Sequence, residues 1–293
     1  FIASETATLD GFRGFSMKPE VLISEADKVV AYVVFEGIHN NEMHGYKPTG
    51  KKVRISLMML LTIEGGKIKE KRAHFDYRLV NLTGEYEMKK IAILITDDIS
   101  AFHLSVPLAI FADIIPDHSL FNVVLCSVQG KTIKTSHGMH ITPEYDLSVL
   151  RTADMVIVPF WPSPDIVPEP QLTEALREAA QHNATIVGLC LGAYALAYSG
   201  LLDARNASTH WLYESDFQSR FPNTHLDMNA LYVADDNIIT SAGTGAGMDC
   251  CLYLVRELYG SNIANQIARR MVIPPHRDGG QAQYIQMQQR IAR

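Results

Sequence analysis

Cys190 is the residue of this sequence best placed to do chemistry. In ATIVGLCLGAYALAYSGLL it sits between an apolar, β-branched run and a stretch of small helix-forming residues, with Gly188 and Gly192 flanking it. That layout predicts a sharp strand-to-helix turn carrying the thiol at the carboxyl edge of a sheet. A helix N-terminus there favours thiolate, and the N–H groups of Leu191 and Gly192 could bind an oxyanion. Cysteine is also among the most buried residue types. The local residues therefore leave two readings open, a nucleophile and a small packing hydrophobe. His210, in STHW, reads locally as a hydrogen-bonded core histidine beside Trp211. Cys126, in a strand-like run, and Cys250 and Cys251, inside MDCCLYLV, are expected to pack. Four cysteines without a CxxC pair, and no histidine cluster at zinc spacing, predict reduced thiols, no metal and no cofactor.

The elements that must position Cys190 are readable from periodicity. KKIAILIT, FNVVLCSV, ADMVIVPF and ATIVGL are buried-strand runs. HLSVPLAIFADII and EPQLTEALREAAQHN between them are helical, as in a doubly wound α/β sheet. LYVADDNIITSAG predicts a hairpin turning at Asp235–Asp236–Asn237. AGMDCCLYLVRELYGSNIANQIARRMV predicts two helices divided at Gly260. The earlier part is different. VLISEADKVVAYVVFEG and VRISLMMLLTIEGGKIKEKRAHFD read as two antiparallel hairpins, the second turning at Gly65–Gly66. The expected organisation is a β-rich unit at 1–78, a linker at 79–87, an α/β domain at 88–285 and a tail at 286–293.

With 293 residues, 47% of them hydrophobic, the chain can bury two cores, and a net charge of -6 supplies no positive field for phosphate backbones. No run nears the ~20 apolar residues that cross a bilayer, so a cytoplasmic protein without membrane partners is expected. The chain opens at Phe1 in mid-pattern, which predicts a missing upstream segment.

GLCLGAYALAYSGLLDARNASTHW, IITSAGTGAGMDCCLYLVREL and MVIPPHRDGGQAQY together resemble the ThiJ/PfpI superfamily, of class I glutamine amidotransferase-like, flavodoxin-like fold, over about residues 88–285. The PPHRDGGQAQ stretch is similar to the effector domains of AraC-family regulators of the GlxA/FtrA kind. The resemblance places the family's reactive cysteine on Cys190 and the histidine of its TTH motif on His210, a pair able to activate a thiol for attack on carbon. His103 occupies the position of the family's carboxylic acid. VPFWPSP falls where a second oxyanion N–H arises, so Phe160 and Trp161 are implied at the cleft mouth, with Thr240, Ser241 and Thr244 lining the far side. Leu191 and Gly192 complete the implied ligand-binding set.

VVAYVVFEGIHNNEMHGYKPTGKKVRISLMMLLTIEGGKIKEKRAHFD resembles the SnoaL-like polyketide or ester cyclases, whose fold is a cone-shaped α+β barrel. The likeness implies Asp76 as a possible acid/base, with His39, His44 and His74 nearby, in a unit lacking its opening helices.

Two functions follow from these resemblances. One is a small-molecule sensor, homodimeric through the ThiJ/PfpI unit, touching DNA only through a helix-turn-helix region for which YIQMQQRIAR is too short. The other is a cysteine-dependent hydrolase or hydratase of the isonitrile hydratase kind, using Cys190 and His210.

Overall fold

The computed structural model describes residues 12–42, 48, 50, 52–75, 88–115, 120–277 and 280–281. The chain divides into two compact units, residues 1–87 with 257–260 forming one and residues 88–256 with 261–293 forming the other.

The first unit is an antiparallel meander in the order β1-β2-β3-β4: β1 (Phe12–Glu25), β2 (Lys28–His39), β3 (Lys52–Glu64) and β4 (Lys67–Phe75). Gly65 and Gly66 have φ of 58° and 75°. A two-residue turn needs that pair of left-handed residues to match the twist of its strands. β1 starts nine residues before Val21, where the sequence pattern placed it. Its register slips between Arg13 and Ser16 and again between Pro19 and Val21. Pro19 has no N–H to give a ladder, and an edge strand is where a sheet accepts it. Phe12, Ala31, Val33, Phe35 and His39 are buried, with the Phe12 and Phe35 rings edge-to-face at 4.9 Å. His74 lies opposite Met58 in the β3–β4 register. Asp76, His44 and the expected 79–87 linker and 286–293 tail fall outside the described residues.

The second unit is a six-stranded sheet with sequential elements β5 (Lys89–Leu94), α1 (Ala101–Leu108), β6 (Phe121–Cys126), the short pair β7 (Ile133–Lys134) and β8 (His140–Ile141), and β9 (Met155–Val158). There follow α2 (Pro170–Gln181), β10 (Thr185–Leu189), α3 (Gly192–Tyr198), β11 (Asn206–Ala207), α4 (Glu214–Arg220), β12 (His225–Leu226), β13 (Tyr232–Asp235), β14 (Ile238–Ser241) and α5 (Thr244–Met271). The order is β13-β14-β10-β9-β5-β6, parallel throughout except for β13. This is the doubly wound, flavodoxin-like arrangement, with its switch of winding direction at β5. The β-branched runs are buried on both faces: Ile91 to Ile95 and Val156 to Val158 are at most 1% exposed.

The β13–β14 hairpin turns at Asp236, whose φ is 58°. α5 is broken at Gly260 (φ 82°, ψ 171°), making it two helices end to end, as the sequence pattern predicts. Helix α1 runs on into a π-helical turn at Ala109–Asp113, which the periodicity did not reveal. Pro107 lies inside α1 and removes the N–H that would meet the His103 carbonyl one turn back. Among the described residues no helix is long and apolar enough to cross a membrane, and no group of three or more His, Cys, Asp or Glu could hold a metal ion.

Candidate functional site

Strand β10 ends at Leu189, paired with Ser241 of β14, and the chain turns at Cys190 with φ 53°. A non-glycine residue in the left-handed region costs of the order of 1 kcal/mol or more and persists only where its surroundings enforce it. They do so here. The Cys190 N–H is shared between the carbonyls of Ser241 and Ala242, both at 3.1 Å, and the Cys190 carbonyl accepts from the Thr209 hydroxyl at 3.1 Å. Gly192 makes the turn possible sterically: a Cβ there would lie 2.1 Å from the Val158 carbonyl oxygen. Tyr194, fully buried, anchors α3 through its hydroxyl, which donates to Asp216 at 2.8 Å.

Cys190 is 7% exposed, and burial pushes its thiol above the ordinary range. The Leu191 N–H, the Thr244 hydroxyl and the Thr244 N–H pull the other way without overcoming it. Helix α3 has only seven residues, so its dipole adds little at the sulfur. Thr244 stands at the centre of the arrangement. Its oxygen lies 2.6 Å from His103 Nε2. With the hydroxyl proton directed at sulfur, that oxygen accepts from His103 Nε2–H, leaving Nδ1 as the lone-pair nitrogen. Nδ1 is buried and has no hydrogen-bond partner among the described residues. Phe160 packs edge-to-face on His103 at 5.3 Å.

Cys190, Leu191, Thr244, His103 and Phe160 are thus brought together. His210 stands near enough for its charge to act on His103. Its ring rests where a Gly243 Cβ would come within 2.9 Å, and its Nδ1 accepts from the Leu212 N–H at 3.2 Å. It makes no hydrogen bond to the thiol among the described residues. Trp161 is 4% exposed, sits in the main core cluster and donates its indole N–H to the Ile166 carbonyl, thereby fixing the loop that carries Phe160. The Thr240 hydroxyl accepts from the Ser208 N–H, and Ser241 Oγ donates to the Ala242 carbonyl. Both hold backbone in place. Cys126, Cys250 and Cys251 are buried free thiols, each raised by burial.

Residues 89–257 match the family model described as DJ-1/PfpI, which is more than half of the chain. The chain belongs to the DJ-1/PfpI family. Residues 1–80 match the model of the SnoaL-like polyketide cyclases. The regulator CdhR of Pseudomonas aeruginosa, an HTH-type transcriptional regulator, is 30% identical over 154 residues, 53% of this chain and 46% of that protein. The isonitrile hydratase of Pseudomonas putida is 24% identical over 49% of this chain and 62% of its own length. A crystal structure of an AraC family transcriptional regulator from Pseudomonas putida superposes with a TM-score of 0.56 at 22% identity, covering 62% of this chain and 99% of that one. That likeness speaks to the fold. The chain spans under half the length of the curated regulator.

His103 and His210 make the stability of the DJ-1/PfpI domain sensitive to acid. His103 is held below the ordinary histidine range first by burial and then by the charge of His210, and His210 is held low by burial. For each, the unfolded chain binds the proton more readily, so stability rises with pH across the interval between the two pKa values. The full contribution is present above about pH 6.5 and is lost as pH falls below it toward the folded-state values. Urea midpoints are expected to drop between pH 7.5 and pH 5, and to drop less in His103→Gln and His210→Gln. Equal pH slopes in all three proteins would remove the two imidazoles as the cause.

Proposed function

We propose that the DJ-1/PfpI domain is the small-molecule-sensing part of a transcriptional regulator. The observation that carries this reading is the state of Cys190: a buried thiol kept protonated, with a neutral imidazole, His103, where a carboxylic acid would be expected beside a working nucleophile. A neutral thiol, a threonine and an imidazole with a free lone pair form a binding surface for an uncharged polar molecule and carry no base poised to activate sulfur. The regulator relatives support it by name. In the whole protein, DNA contact would belong to a helix-turn-helix segment and dimerisation to this domain. Unpaired thiols and the lack of a membrane-crossing helix among the described residues favour the cytoplasm.

The second reading, a cysteine-dependent hydrolase or hydratase, draws on the strained φ of Cys190 and on the hydratase relative. Attack would come from the Cys190 thiolate, with His210 as proton carrier and the Leu191 N–H at the developing negative charge.

A metabolite screen by thermal shift tests the sensor. A ligand at a hundred times its Kd adds about 2.7 kcal/mol of stability, and the gain is expected to shrink in His103→Leu while no isonitrile or ester is turned over. Turnover that Cys190→Ala abolishes, with no stabilising ligand found, would replace the sensor by the enzyme.

A further inference from the structure

The segment after α5 is built into the Cys190 site. Gln281 is 2% exposed, and every polar atom of its side chain is used. Its Oε1 accepts from the Trp211 N–H at 3.0 Å. Its Nε2 lies within hydrogen-bond reach of Ser208 Oγ at 3.3 Å, the Thr209 carbonyl at 3.1 Å and the Ala230 carbonyl at 3.3 Å. Its own N–H donates to the Asn229 carbonyl at 3.1 Å. Gly280 lets the chain in: a Cβ there would fall 1.6 Å from the Asn229 oxygen. Further back the segment is pinned by the Arg277–Asp249 ion pair and by the Arg256 side chain on the Pro275 carbonyl.

Residues 208–211, which Gln281 grips, are the residues that also grip the site. The Thr209 hydroxyl bonds the Cys190 carbonyl, and the Ser208 N–H bonds Thr240 beside it. From the Gln281 amide to the Cys190 backbone there are thus two hydrogen bonds in series through one residue, Thr209. Gln281 also bonds the amide of Trp211, next in chain to His210. A glutamine amide buried with two or more bonds cannot withdraw without stranding their partners, and each stranded buried group costs about 1–3 kcal/mol. Loop and segment must therefore come and go together.

We propose that Gln281 is a positioning residue of the Cys190 site, locking the loop 208–211 and the C-terminal segment into one coupled unit. The proposal rests on the reading that this site binds a ligand, because coupling has a use only if something enters there. Coupling is reciprocal: an occupant that shifts His210 or Thr209 alters the seating of Gly280 and Gln281 by the same free energy. The segment then forms the route from the site to whatever follows it in the chain.

Hydrogen exchange on the intact wild-type chain is the first test and needs no ligand. The Trp211 and Gln281 amides are expected to exchange through a common opening, with the same protection and the same response to dilute denaturant. In Arg277→Ala, which unpins the segment without touching the loop, protection of the Trp211 amide should fall at least tenfold while that of Ile157 in β9 stays. In Gln281→Met, similar in size but unable to bond, the His210 titration seen by NMR should move up toward the ordinary histidine value. Independent opening of the two amides, or an unchanged Trp211 in Arg277→Ala, overturns the coupling. If Gln281→Met does not fold, those two measurements still decide. An empty metabolite screen beside common opening would sink the sensor and leave the coupling standing.

Discussion

Gly192→Ala is expected to cost the DJ-1/PfpI domain about 3 kcal/mol or more and to lower its urea midpoint accordingly. A methyl group at this position would sit 2.1 Å from the Val158 carbonyl oxygen, well inside any tolerable contact. The obstacle cannot step aside, because it is backbone at the end of β9, and Val158 is registered against Gly188 in the middle of the sheet. Relief must come from moving α3 away from the sheet, which drags Cys190 from the carbonyls of Ser241 and Ala242. Gly245→Ala is the matched control. A Cβ there meets nothing within 4 Å, and alanine in a helix is favoured over glycine by about 1 kcal/mol, so the midpoint should hold or rise. A folded Gly192→Ala with an unchanged midpoint would mean that the turn at Cys190 is not held by close packing.

The parts of this architecture that were legible beforehand are those set by local chemistry. Strands buried on both faces must be continuous apolar runs, so β5, β9 and β10 stand out, and the edge strand β6 is marked by its β-branched residues although Asn122 is exposed. The paired left-handed positions at Gly65 and Gly66, and the break at Gly260, follow from the one residue type that takes such conformations freely. Gly188 and Gly192 around Cys190 identified the sharp turn for another reason, the close backbone approach that a missing Cβ permits. What stayed hidden depends on distant partners. The sequence pattern placed the first strand from Val21, yet pairing with β2 carries β1 back to Phe12 across two register shifts. Trp161 seemed suited to a cleft mouth, but an indole N–H that finds the Ile166 carbonyl is held in the core. Gln281 read only as one letter of a resemblance. A signal was available, since a glutamine directly after a glycine pair has no reason to be buried unless its amide is fully bonded, but only the tertiary structure supplies the partners. Thr244, named as a lining residue, turns out to join Cys190 to His103.

That bridging role yields the largest expected change in reactivity. Alkylation of Cys190 by iodoacetamide, followed by peptide mass spectrometry across pH, should be half-maximal above the ~8.5 of a free cysteine, because burial outweighs the hydrogen bonds at the sulfur. Thr244→Val deletes the hydroxyl that donates to sulfur while keeping the backbone N–H. A hydrogen bond to a charged group contributes about 1.5 kcal/mol, close to one pKa unit, so the midpoint should climb by about one unit and labelling at pH 8 should slow about tenfold. Thr244→Ser restores the donor and should restore the midpoint. The midpoint, rather than the rate, carries the argument, since restricted access to a buried thiol scales the whole curve without displacing it. His103→Ala removes the group that accompanies Thr244 and leaves its hydroxyl free to turn, so it too should raise the midpoint, by less than Thr244→Val. A wild-type midpoint below 8.5 that rises on removing His210 would instead describe a thiolate sustained by that imidazole. Catalysis at Cys190 would then become the better account of the site.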